Sequence, residues 1–240
     1  MTPVQRRHPI PRLQIQTTAP PDLHCTATMA PAVARVLAIV LLAAAASTLA
    51  VADPSPDAVA LQAFRSGLED PDGELQSWDP ELVDLCSWSH IICDANNRVT
   101  HIELGYSNLS GPLSPELAKL DQLQYMRVGD NNIQGTIPEE FSDVGNLVSL
   151  DVYNNNISGP IPASLGKLSA LKFMRLYQNR LTGPIPMELT GLSKLEVLEL
   201  WNNDLCGAIP TSGPFQNFPP NSFAGNPRLR IPGQQQGADC

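Results

Sequence analysis

Leu147-Val-Ser-Leu-Asp-Val-Tyr-Asn-Asn-Asn-Ile-Ser-Gly-Pro-Ile-Pro162 is one of five versions of the pattern L-x-x-L-x-L-x-x-N-x-L-x-G-x-I-P that follow one another at a step of 24 residues. Its anchor Leu150 recurs as Ile102, Met126, Met174 and Leu198 without an insertion between them. Gly111, Gly135, Gly159, Gly183 and Gly207 keep the same step, as do Pro138, Pro162, Pro186 and Pro210. A segment of this size cannot bury its own apolar face, so repeats with this period stack and share one core. Function is then expected on an extended surface rather than in a closed pocket.

The period and its composition specify a leucine-rich repeat solenoid: a right-handed coil with a parallel β-sheet on its concave face. In the second repeat, Leu123, Met126, Val128 and Ile133 point inward and Ile137 closes the turn, which leaves Tyr125, Arg127 and Gly129 on the open face of a short strand. The strands around Asp151, Arg175 and Glu199 are expected to pair with it in parallel. Asn131, Asn155, Asn179 and Asn203 stand where the chain leaves each strand, where a buried amide can bond main-chain groups that the turn leaves unpaired. Ser107 takes that place in the first repeat. The G-x-I-P element predicts an extended segment on the far side, because proline restricts helix there. Five strands at about 4.8 Å spacing make a stack ~20 Å high, the length of roughly six extended peptide residues, so the expected partner is a short peptide epitope or something larger to which the chain couples.

The start of the chain reads as leader sequence. Arg35, the apolar run Val36–Ala46 and the small residues Ala50-Val51-Ala52 form a signal-peptide pattern, with Met29 as the expected start and Asp53 as the first mature residue. The apolar run is too short to span a membrane and no later run reaches that length, so the mature chain is expected to be soluble and without a membrane span. From Asp53 onward, 11 Lys and Arg face 23 Asp and Glu. That balance disfavours nucleic acid or anionic lipid as the main partner. Five cysteines suit an oxidising compartment. Cys25 falls in the leader, and a Cys86–Cys93 bridge beside Trp78 and Trp88 staples an N-terminal cap, worth roughly 2–3 kcal/mol. Cys206 and Cys240 either pair, pinning the end of the chain over the last repeat, or leave a free thiol or an intermolecular bridge. Asn108-Leu-Ser110 and Asn156-Ile-Ser158 are glycosylation sequons at positions where asparagine also serves the turn. No metal set and no cofactor motif accompanies these features.

The expected map is therefore leader and signal peptide over 1–52, cap over 53–97, five repeats over 98–217 and an irregular, partly mobile tail over 218–240. In the cap, Asp57 is expected to cap a helix running to about Glu69 with Leu61, Phe64 and Leu68 on its apolar stripe, followed by the turn Asp70-Pro-Asp-Gly73.

The segment Leu75-Gln-Ser-Trp-Asp-Pro-Glu-Leu-Val-Asp-Leu-Cys-Ser-Trp-Ser-His-Ile-Ile-Cys93 resembles the N-terminal cap of plant leucine-rich repeat receptor kinases, above all the somatic embryogenesis receptor kinases. The likeness runs on through Leu147-Val-Ser-Leu-Asp-Val-Tyr153 and Gly159-Pro-Ile-Pro-Ala-Ser-Leu-Gly-Lys-Leu168, covering about residues 55–225. It implies the plant-specific 24-residue type of repeat. With Asn203-Asp-Leu-Cys-Gly207 and the final Cys240, and no kinase domain in this sequence, the chain is similar to the small secreted kinase-less members of the group. That resemblance implies a role in plant defence, with receptor kinase ectodomains or membrane-bound hypersensitive-induced reaction proteins as partners. It also carries over a set of contact residues: Tyr125, Tyr153, Phe173 and Arg175 match concave positions that touch hormone- or peptide-loaded receptors, and His90 matches a cap histidine beside a steroid hormone. Ser89 and Gly129 depart from the family's cap Phe and concave Tyr, which separates this chain from the hormone co-receptors.

The concave row reads His101, Glu103, Tyr106; Tyr125, Arg127, Asp130; Asp151, Tyr153, Asn154; Phe173, Arg175, Tyr177; Val197, Glu199, Trp201. Tyr, Trp and Arg dominate binding energy at interfaces. The candidate partner-binding residues are accordingly Tyr125, Arg127, Asp151, Tyr153, Phe173, Arg175, Tyr177 and Trp201, with His90 at the cap. No G-x-S-x-G elbow, phosphate loop or H-E-x-x-H motif is present, so a non-enzymatic interaction module, adaptor or decoy in the apoplast or cell wall is expected. The alternatives are an inhibitor of microbial cell-wall-degrading enzymes and a structural wall protein.

Overall fold

The computed structural model describes residues 55–79, 84–230 and Cys240. The expected leader, its cleavage site, Met29 and Cys25 lie outside the described residues. Among the described residues no helix is long and apolar enough to cross a membrane.

The cap opens with helix α1 (Pro56–Ser66), which buries Ala60, Leu61 and Phe64. Its capping residue is Ser55, not Asp57 as expected: the Ser55 hydroxyl accepts from Ala58 N at 3.1 Å, and Pro56 fits the first helical position, which has no hydrogen bond to lose. Asp57 turns inward instead. Only 1% exposed, it accepts from Val99 N at 2.9 Å and from the Arg98 guanidinium at 2.9 and 3.1 Å, tying the helix to the first repeat. The helix also ends before Glu69, because the chain leaves it to pair Glu69 with Ser110. Asp70 then organises the expected turn by accepting from Glu74 N and Leu75 N. Trp78 and Trp88 stack at 5.8 Å over the open end of the core, next to the Cys86–Cys93 disulfide.

The strands are β1 (Ile91–Cys93), β2 (Val99–Glu103), β3 (Ser110–Pro112), β4 (Tyr125–Arg127), β5 (Asn132–Gln134) and β6 (Ser149–Asp151). They continue as β7 (Ser158–Pro160), β8 (Phe173–Arg175), β9 (Arg180–Pro184), β10 (Val197–Glu199), β11 (Asp204–Ala208) and β12 (Arg228–Arg230). The main sheet has the order β1-β2-β4-β6-β8-β10, and its repeat strands pair in parallel at a register of one full repeat, Met126 beside Ile102 and Leu150 beside Met126. The cap strand β1 is antiparallel to β2, an addition to the expected parallel sheet. The G-x-I-P segments are extended, as expected: β3 pairs with β5, and β7, β9, β11 and β12 form a second sheet. Each G-x-I-P segment then passes into a short 3-10 turn that buries one large apolar residue: Leu117, Phe141, Leu165, Leu189 or Phe215.

The asparagines form a ladder through the stack. Asn131 accepts from Ser107 N and Leu109 N and donates to the carbonyls of Leu104, Val128 and Gly129. Asn155, Asn179 and Asn203 repeat the arrangement one step further on each time. A fifth rung was not anticipated. Asn226 accepts from Leu205 N and donates to the carbonyls of Leu200 and Phe223. Residues 218–230 are therefore not an irregular tail. They hold a short turn at Pro220–Phe223, the Asn226 rung and β12 parallel to β11, and Cys240 is bonded to Cys206. The 23-residue step from Asn203 to Asn226, and Phe215 and Phe223 in place of leucines, hide this unit from a strict 24-residue reading.

Replacing a middle rung leaves the Ile157 amide without its partner and takes one of two donors from each of the carbonyls of Val152, Leu176 and Tyr177. We expect Asn179→Ala to lower unfolding stability by about 3 kcal/mol, measured by urea denaturation. A loss below about 0.5 kcal/mol would show the ladder to be incidental.

Candidate protein-docking face

On the open face of the main sheet, in-register pairing converts the repeat into rows of side chains running across the strands. The first row is His101, Tyr125, Ser149, Phe173 and Val197. His101 and Tyr125 stack at 4.5 Å, and burial lowers the His101 pKa.

The second row alternates in charge: Glu103, Arg127, Asp151, Arg175 and Glu199. Successive contacts are 2.9, 3.5, 2.9 and 3.4 Å, so each guanidinium bridges two carboxylates. Arg127 also lies 5.1 Å from the Tyr125 ring centre and Arg175 5.2 Å from that of Phe173. Asp151, one of the residues expected to touch a partner, is 4% exposed; Ser149 and both arginines cover it. Its position between two arginines, one strand away on each side, makes it an internal counter-charge that holds them upright.

The third row is Gly105, Gly129, Tyr153, Tyr177 and Trp201. Tyr153 and Tyr177 stack at 4.6 Å with 13° between ring planes, and Tyr177 and Trp201 at 4.2 Å with 11°. Tyr153 lies over Gly129 so closely that a Cβ there would sit 2.7 Å from its ring. Only glycine accommodates the ring in that place. Burial first, and then the Asp130 charge, push the Tyr153 phenol up to about 12. The Tyr177 phenol is also raised, by burial and then by Glu199.

The fourth row is Tyr106, Asp130, Asn154, Gln178 and Asn202, where the chain turns out of the strands. All five are left-handed, with φ between 48° and 59°. Each of the first four keeps its amide bonded to a carbonyl of the next repeat while the backbone changes direction, as Tyr106 N does to Gly129 O at 3.1 Å. Asp130 Oδ1 accepts from Asn154 Nδ2 at 2.5 Å. Polar contact with Asp130 raises the Tyr106 phenol, yet neither that phenol nor Tyr153 has hydrogen-bond geometry at Asp130 Oδ2, which is buried and unpartnered. Tyr106 and Asp130 appear in the concave row of the sequence but were not singled out there as contact residues. The signal that could have found them is the pair Gly105 and Gly129, which places no side chain of its own beside them.

His90 stands apart from the aromatic stack. Its Nε2 lies 3.0 Å from Glu74 and its carbonyl accepts from Glu103 N, so it joins the cap to the first repeat. Asn108 is exposed but donates to Asp72 at 3.0 Å, and Asn156 is half-buried. Among the described residues no group of three or more His, Cys, Asp or Glu could hold a metal ion.

Comparison with known proteins agrees with this geometry. The leucine rich repeat N-terminal domain model matches residues 54–94, and the leucine rich repeat model matches 122–144 and 146–168. The solved BIR2 ectodomain of Arabidopsis thaliana is 34% identical and superposes with a TM-score of 0.69 over 79% of this chain and 100% of its own. The chain belongs to the plant leucine-rich repeat family. A chain of the Arabidopsis BIR3–SERK2 complex is 30% identical, with a TM-score of 0.68 over 75% of this chain and 97% of its own. Leucine-rich repeat protein 1 of Oryza sativa subsp. indica is 56% identical over 90 residues, 38% of this chain and 42% of that protein. The match thus spans about two-fifths of that relative's length. This leucine-rich repeat chain is related to receptor ectodomains.

Asp151→Asn keeps the shape of the side chain but leaves Arg127 and Arg175 facing each other across it. We expect a loss of about 1–2 kcal/mol in urea denaturation, moderated because both arginines are partly exposed. An unchanged midpoint would remove the counter-charge role.

Tyr153 gives a pH dependence whose sign follows from its raised pKa. Its neutral form is favoured by folding, so its contribution is intact below the ordinary value of 10 and is lost as pH rises towards 12. Ultraviolet titration is expected to show one tyrosine ionising near 12, and Tyr153→Phe to flatten the fall in melting temperature over that window. Normal ionisation of all tyrosines would contradict this placement.

Proposed function

We propose that this chain is a secreted protein-interaction module of plant defence signalling that docks through its concave face onto receptor kinase ectodomains, as an adaptor or decoy. The observation that carries the proposal is the stack of Tyr153, Tyr177 and Trp201. Three parallel rings already fixed against one another lose little side-chain freedom when a partner covers them. Tyr and Trp are also the residue types that most often dominate an interface. The charge row beside them is internally paired, so it offers directional contacts without a large single-sign field. A related ectodomain of similar size occurs in a BIR3–SERK2 complex, which supports receptor ectodomains as the partner class. The leader pattern and the two disulfides support an extracellular location, and glycans at Asn108 and Asn156 belong to the same reading.

The test is biolayer interferometry of the secreted chain against immobilised SERK-type and BIR-type ectodomains. Saturable binding is expected, and Tyr177→Ala and Trp201→Ala should each weaken it by about tenfold or more, equivalent to about 1.4 kcal/mol. Binding to none of the ectodomains, or binding indifferent to both substitutions, sinks the proposal.

A further inference from the structure

The two ends of the concave face differ. From Tyr153 to Trp201 the third row is filled with rings, whereas its beginning, Gly105 and Gly129, carries no side chain and has only the Tyr153 ring leaning over Gly129. Beside that stretch lies an open hollow of about 460 Å³ lined by Tyr106, Asn108, Asp130, Asn131, Asn132 and Asn154. Two features of its lining are unusual. Tyr106 is 80% exposed although its backbone is left-handed, a conformation that bulky side chains rarely adopt. The equivalent positions carry Asp130, Asn154, Gln178 and Asn202, and Asp and Asn tolerate that conformation much better. Asp130, for its part, uses one oxygen on Asn154 and leaves the other buried without a partner. A buried, unpaired carboxylate oxygen is costly and calls for a donor. No cation among the described residues supplies one: Arg127 and Arg175, the arginines of the face, are engaged by the carboxylates of the charge row.

We propose that this hollow is a recognition subsite for one arginine side chain presented by the protein that docks on the concave face, with the guanidinium stacked on Tyr106 and donating to Asp130. The source of the arginine rests on the docking function proposed above; the chemistry of the subsite does not. A planar guanidinium can lie flat on an aromatic ring while its edge donates to a carboxylate, which a lysine ammonium cannot do. The amide oxygens of Asn132 and Asn154 beside the hollow can accept its remaining donors. Access to the buried oxygen requires Tyr106 to give up its polar contact with Asp130, and its outward exposure leaves room for that swing. A metal ion is disfavoured because Asp130 is the only carboxylate lining the hollow.

The experiment is an NMR titration of the full chain, produced through the secretory route, with acetyl-Gly-Gly-Arg-Gly-Gly-amide. Its control is the twin peptide carrying citrulline, which keeps the shape and removes the charge. Saturable shifts centred on Tyr106, Gly129 and Asp130 are expected, at least about tenfold weaker for citrulline. Asp130→Asn and, at the exposed site, Tyr106→Ala should each abolish saturation, whereas Trp201→Ala should leave it unchanged. Shifts that do not saturate, that are equal for citrulline, that survive both substitutions, or that centre on Trp201 overturn the subsite. Because the probe is a free peptide, such a failure leaves ectodomain capture through Tyr177 and Trp201 standing, and failure of that capture leaves the titration interpretable.

Discussion

The asparagine ladder is the constraint on which the rest of the structure depends. Each turn out of the main sheet leaves amides and carbonyls pointing into the core, where water cannot reach them. An asparagine amide offers both an acceptor and donors, so one side chain can satisfy groups of its own repeat and of the preceding one. Asn155 does so with Ile133 N on one side and the carbonyls of Val128 and Val152 on the other. Each rung therefore fixes the offset between neighbours, and in the five repeats that offset is 24 residues. Regular register then follows, and regular register aligns the rows. Tyr153, Tyr177 and Trp201 stack because the same amide lies behind each of their strands.

Rows make the face rigid in one direction and variable in the other. Across the strands, neighbours are locked by ring stacking and by alternating ion pairs. Along each strand, only three or four residues reach the surface. Asp151 shows the consequence. Placed between Arg127 and Arg175 by register, its charge is used up inside the row rather than offered to a partner. The two arginines keep their outer surfaces and their position over Tyr125 and Phe173. The contact chemistry of the face is thus aromatic and guanidinium, with acidic groups exposed chiefly at its ends, Glu103 and Glu199.

Much of this was legible in the sequence, because repetition turns a single-residue signal into an aligned one. Ile102, Met126, Leu150, Met174 and Leu198 all lie in the core, and the asparagines form the bonds expected of them. Legibility ended where repetition did. In the cap, Ser55 and Asp57 both suit a helix start, and their roles were decided by Arg98 and Val99, over forty residues away. At the other end, a one-residue deletion and the exchange of leucine for phenylalanine concealed the Asn226 rung. Burial of Asp151 could not be read from its strand either, because it depends on side chains of two other repeats. The same holds for Gly129. Its reason is the Tyr153 ring lying across it, contributed by the next repeat.

That glycine connects the two halves of the face. With a ring at Gly129, the aromatic stack would extend one step towards the cap and Tyr153 would stand upright. Without it, Tyr153 tips over the gap and its phenol comes close to Asp130, while Tyr106 has no third-row ring beside it at Gly105 and projects into solvent. One missing side chain thus ends the apolar rail and opens a polar hollow beside it. A partner that only covered apolar surface would gain from a longer rail, so the interruption is better explained by a partner with mixed chemistry, apolar along Tyr177 and Trp201 and cationic at Asp130. The 24-residue period supplies the rows, and the departures from it at Gly105, Tyr106, Gly129 and Asp130 give this face an identity that the period alone cannot.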